Sequence, residues 1–142
     1  MLEVVKPLHE IFTMNTGLVN LALQGVAETE ANRRFDPGTN NSLWILGHIT
    51  SIRHDILSML GQPSQDPWQG VFKKGINDQS GQQLPTAEDI LTEWKNTSAK
   101  LAAQLEAVNA ETLKAVPPSP FPTTEQTSSH GRSTKTTRLF AD

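Results

Sequence analysis

The segment from Asn41 to Gly61, NSLWILGHITSIRHDILSMLG, leaves this chain little choice but to be helical. Asn41 or Ser42 can cap its start by accepting a bond from an otherwise unpaired backbone N–H. Gly61 can close its end in the left-handed conformation that other residues avoid. Ile45, Ile49, Ile52, Ile56 and Leu60 recur at helical spacing and share one face. A helix with one apolar face must bury it against other elements. His48 lies at the margin of that stripe and is expected to point partly inward. Such a histidine has two readings: a core side chain donating to a backbone carbonyl, or a metal ligand. The second needs at least two more ligands converging on it. His54 falls roughly opposite the stripe and is expected in solvent, as are Arg53 and Asp55. Trp44, on the flank beside His48, is expected to pack.

Two further segments carry helical patterning. Residues 3–28 read as a first helix, with Pro7 suited to its first turn and Leu8, Ile11, Phe12, Leu18, Leu21 and Val26 on a broad apolar face. His9 reads as a surface or capping residue, and Asn15 and Asn20 as solvated. Asp36-Pro37-Gly38 marks a turn. A third long helix is expected from about Pro85 to Asn109. Thr86 is its N-cap, and Asp89 stands where a capping box places its acid. Ile90, Trp94, Leu101, Leu105 and Val108 line one side, with Ser98 in the same row; Glu88, Glu93, Lys95, Lys100 and Glu106 are read as solvated. The connection over 61–84 is long and rich in Gly, Gln and Pro, which in a compact domain points to function or disorder. Trp68 and Phe72 should anchor part of it over the helices as a lid or collar.

After a further turn at Ala110 to Ala115 the pattern stops. Pro117, Pro118, Pro120 and Pro122 interrupt any helix. Between Pro122 and Arg138 no aliphatic or aromatic side chain occurs beyond the threonine methyls. That composition predicts a polar, disordered tail over 128–142 following a helical domain over 1–127.

Composition removes several function classes. A net charge of −3 and a pI near 5.8 argue against a nucleic-acid binder. The absence of cysteine excludes disulfides, thiolate metal sites and a cysteine nucleophile. No apolar run approaches the ~18 residues of a membrane span. MLEVVKPLHE has no signal-peptide apolar core, so a cytoplasmic protein with no membrane partner is expected.

Asn41-Ser42-Leu43-Trp44-Ile45-Leu46-Gly47-His48-Ile49 resembles the second-helix motif of the DinB-like superfamily of metal-dependent enzymes. Leu60-Gly61, Asp66-Pro67-Trp68, Phe72-Lys73-Lys74-Gly75, Leu84-Pro85-Thr86-Ala87-Glu88-Asp89-Ile90-Leu91 and Phe121-Pro122-Thr123-Thr124 resemble further pieces of that family in their order. The resemblance implies an all-α, up-and-down four-helix bundle, of which three helices are present here. It implies a divalent metal of the zinc or nickel type, held by one histidine from the second helix and an H-x-x-x-H pair on the fourth. His48 matches the first; the pair has no match. It further implies thiol S-transfer, thiol-dependent isomerisation or hydrolysis in intact relatives, with a small thiol or thiol conjugate as substrate. Arg33 and Arg34 would then lie near the mouth of the site, where they could meet an anion, or simply form a solvated pair at a helix end.

The expected function follows from what is matched and what is not. The chain reads as a DinB-like enzyme scaffold that is inactive as written, because two of three metal histidines are missing, and that holds metal weakly even if His9 or His130 assists. The abrupt ending near Thr127 fits a shortened or frameshifted member. No catalytic residue is assigned. The alternative is a non-catalytic remnant or interaction module whose uncovered groove binds a partner helix or pairs two copies as a homodimer.

Overall fold

The computed structural model describes residues 1–72 and 84–115, whose regular elements are all helices. Five helices follow in order: α1 Lys6–Leu23, α2 Glu28–Ala31, α3 Ser42–Met59, α4 Ala87–Ala107 and α5 Ala110–Lys114. None is long and apolar enough to cross a membrane. The expected motif pieces at Lys73-Lys74-Gly75 and Phe121-Pro122-Thr123-Thr124, the prolines from Pro117 onward, His130 and the expected tail over 128–142 lie outside the described residues.

The helix ends form where their capping chemistry predicts. Asn41 Oδ1 accepts from the Trp44 N–H at 2.7 Å and starts α3. At the other end Gly61 takes φ +81°. The Gln62 N–H reaches Leu57 O at 3.0 Å and the Gly61 N–H reaches Ser58 O at 3.1 Å, the double closure that a left-handed glycine permits. α4 opens on a complete capping box between Thr86 and Asp89. Asn109 caps α5 through the Thr112 N–H at 2.8 Å. α1 is shorter than expected at both ends, starting with Pro7 in its first turn and stopping before Gly25, whose φ is +74°.

α4 is the central element, packing against α3 most extensively and against α1 as well. Its expected row is buried in full: Ile90, Trp94, Ser98, Leu101, Leu105 and, just past the helix, Val108. The core divides into two apolar clusters. One gathers Ala31, Leu43, Trp44, Leu46, Phe72, Ile90 and Trp94; the other gathers Val5, Leu57, Leu101, Leu105 and Val108. Between them lies a belt of buried polar side chains: Thr50, Ser51, Arg53 and His54 on α3, and Thr97 and Ser98 on α4.

That belt corrects the reading of α3. The isoleucine stripe is not the most buried face: Ile45 is 50% exposed, and Ile49, Ile52 and Ile56 are half-buried. The face against α4 lies about one residue's rotation (~100°) away and includes Leu46, Thr50, Arg53, His54 and Leu57. Because polar groups fill its middle, hydropathy alone does not register it. The isoleucines instead wall an open groove between α1 and α3, whose cavities measure about 210 and 320 Å³.

Residues 61–72 fold back over α3, as Trp68 and Phe72 suggest. Phe72 is fully buried and meets Trp68 and Trp44 edge-on, with ring centroids at 5.1 and 6.2 Å. Its ring lies on the backbone of Gly47, where a Cβ would come within 2.6–2.7 Å of three ring atoms. Gly47→Ala is therefore expected to destabilise the chain by about 1–3 kcal/mol through overpacking. Gly17→Ala, where nothing lies within 4 Å of the added methyl, should instead stabilise by up to about 1 kcal/mol. Urea unfolding should show the two midpoints shifted in opposite directions with unchanged slopes.

Candidate functional site

His48 is half-buried on α3, stacked on the Trp44 ring at 5.2 Å and 19°. Its Nδ1 lies 2.5 Å from the carbonyl oxygen of Phe72. A carbonyl only accepts, so Nδ1 carries the proton. The neutral ring then presents Nε2 as its lone-pair nitrogen. Gly47 and His48 thus hold one residue between them, Gly47 receiving the Phe72 ring and His48 its carbonyl. This is the carbonyl-bonded reading of His48. It is also how a histidine is usually fixed to offer Nε2 to a metal.

His54 contradicts its expected exposure. Only 3% of it reaches solvent, and both ring nitrogens are engaged. Nδ1 is 2.7 Å from Ser64 Oγ. Nε2 is 3.2 Å from Glu93 Oε1 and 3.3 Å from Thr97 Oγ1. Thr97 donates its hydroxyl to the same Glu93 oxygen at 3.0 Å. The consistent assignment has Nε2–H donating to the carboxylate and Nδ1 accepting from Ser64. Glu93, expected in water, is therefore drawn against α3. Proton transfer from Ser64 to His54 beside Glu93 is chemically allowed by this wiring. However, the Ser64 N–H is committed to Ser58 Oγ at 3.3 Å, and Ser58 donates back to Ser64 O at 3.2 Å. The amide that would most readily steady an oxyanion on Ser64 is thus occupied. The cluster acts as a clamp joining the 61–72 segment, α3 and α4.

Arg53 is the second departure. Expected on the surface, it is 4% exposed, with its guanidinium 3.8 Å from the Trp94 ring centroid and 5.8 Å from that of Phe12. It donates to Thr16 Oγ1 at 3.0 Å and to Ser98 Oγ. Desolvation by burial lowers its pKa to about 10, so the group remains charged at neutral pH. The indole of Trp94 in turn donates to Asn20 Oδ1 at 2.9 Å, giving Asn20 a structural partner. Arg33 pairs with Glu30 at 3.3 Å, and Arg34 reaches the carbonyls of Pro37 and Thr39 at 3.4 Å. Both arginines are occupied within their own turn.

The donor set among the described residues does not by itself make a tight metal site. Among the described residues no group of three His, Cys, Asp or Glu side chains converges. His48 is correctly wired for one bond. His54 has both nitrogens committed, and His9 pairs with Glu106 across α1 and α4 at 3.4 Å. Two buried polar atoms, Trp44 Nε1 and Ser51 Oγ, have no hydrogen-bond partner among the described residues.

The family model described as the DinB superfamily matches residues 12–131, most of the chain. No curated protein matches it.

The two histidines should respond unequally to truncation. His54→Ala leaves a cavity and a half-buried carboxylate short of a donor, and is expected to cost about 2–4 kcal/mol. His48→Ala removes one carbonyl bond from a half-buried site and should cost about 1 kcal/mol. Chemical denaturation of both variants checks the order.

Proposed function

This chain belongs to the DinB superfamily, and on that premise we propose that it is a metal-enzyme scaffold retaining a single ligand, His48. The 142-residue chain then holds no divalent metal tightly and performs no metal-dependent transfer, isomerisation or hydrolysis by itself. The observation that carries this reading is the engagement of His54: the other buried imidazole near the middle of α3 has both nitrogens bonded to Ser64, Glu93 and Thr97. A structural zinc site takes four protein ligands, and a catalytic one takes three with an open position. One imidazole falls far short of either. The sequence supports the same reading, since its four histidines include no H-x-x-x-H pair.

The role left to His48 is mechanical. Its Nδ1–H fixes the Phe72 carbonyl, and its ring face supports Trp44. After incubation with excess zinc or nickel and exhaustive dialysis, elemental analysis should find well under one metal per chain. His48→Ala should leave that value unchanged. One metal retained per chain, and lost in His48→Ala, would falsify this reading.

A further inference from the structure

The strongest anomaly of the molecule is apolar surface left in water. α1 buries none of its residues fully. Leu8, Ile11, Met14, Leu18 and Leu21 are 48–66% exposed, and Ile45 across the groove is 50% exposed. The first five recur at steps of three and four, so they form one face along most of the helix. Phe12, Val19, Ile49, Ile52 and Ile56 line the floor and walls of the adjoining groove. Contiguous exposed apolar faces of this length are rare on soluble monomers and mark an interaction surface.

The rest of this chain carries no apolar stripe to match it. Residues 73–83 contain one aliphatic side chain, Ile76, and residues 116–142 contain four large apolar ones, Val116, Phe121, Leu139 and Phe140, which do not recur at helical spacing. The chain does carry one helix suited to an apolar groove, and that is α1 itself. From Ile11 to Ala27 there is no ionisable side chain. Two copies of this segment can therefore lie against each other without like-charge repulsion, although the whole chain carries a net charge of −3. Groove and helix are adjacent on the same molecule, so a two-fold axis lets each copy give and receive the same contact and closes the assembly at two.

We infer that a second copy of this chain seats its α1 in the groove between α1 and α3 and receives the first copy's α1 in return. The partner helix would lie against Leu18 and Ile11 on one side and Ile45 and Ile52 on the other. This pairing is independent of whether His48 takes a metal.

Sedimentation in the presence of EDTA tests it. The full chain should sediment at twice 15.6 kDa. Leu18→Glu should return it to a monomer with unchanged helical circular dichroism, whereas Lys95→Glu on the exposed face of α4 should leave the dimer intact. Because the chain lacks cysteine, a second measurement needs no disruptive change. A bis-maleimide reagent should join Met14→Cys chains in pairs and leave Lys95→Cys chains single. A parent chain that stays monomeric at high concentration overturns the proposal, whatever covers the groove. So does an assembly larger than two, or Met14→Cys chains joined no faster than Lys95→Cys chains.

Discussion

A guanidinium held in the interior sets the terms on which α1, α3 and α4 meet. Arg53 extends from α3 over the face of Trp94 on α4, with Phe12 of α1 also near its charge. Its donors end on one hydroxyl from each neighbouring helix, Thr16 and Ser98. Those hydroxyls are prepared to accept. Thr16 sends its own proton to Phe12 O at 2.8 Å, and Ser98 sends its proton to Trp94 O at 2.5 Å. Each oxygen therefore turns lone pairs toward the arginine. Burying a cation is costly unless such partners are in place, so the three helices are constrained together rather than pair by pair.

The belt around Arg53 limits how α3 and α4 can slide. Above and below it the interface is apolar and would tolerate small shifts. At its level Arg53 needs Ser98 and Trp94, and His54 needs Thr97 and Glu93. A displacement of one turn, about 5.4 Å, would set these groups opposite leucines. Buried polar contacts of this kind are best attested as devices that fix register. The carbonyl of Leu60 accepting from Gln104 at 2.7 Å adds a further fixed point near the end of α3.

What could be read from the sequence follows which forces leave a mark on hydropathy. The expected row of α4 was legible: Ile90, Trp94, Ser98, Leu101 and Leu105 are buried as read, and Thr86 and Asp89 announce its start, whereas the buried Thr97 beside them left no mark on hydropathy. The ends of α3 were legible because Asn41 and Gly61 have few other uses there. The inward lean of His48 was legible too. The burial of Arg53, His54 and Glu93 was not, because each is read by default as solvated and only their mutual satisfaction makes burial tolerable. Asn20 is exposed as read, and only its bond from Trp94, far along the chain, left no mark on the sequence. A faint signal existed in the run Thr50, Ser51, Arg53 and His54, placed between the apolar turns at Leu46 and Leu57. Opposite Thr97 and Ser98 of α4, it matches polar to polar at the same height.

The double hold on Phe72 gives the molecule a form of communication. Gly47 accommodates the ring and His48 binds the carbonyl, so the end of the 61–72 segment cannot leave α3 without also releasing an imidazole nitrogen. The converse holds with equal force. Anything that captured Nδ1 of His48 would have to displace a backbone carbonyl and loosen the ring that fills the notch at Gly47. Occupancy of Nδ1 by any other group and attachment of the segment are thus linked quantities, each shifting the other by the same free energy. A spectroscopic probe near Trp68 would report events at His48 without touching it.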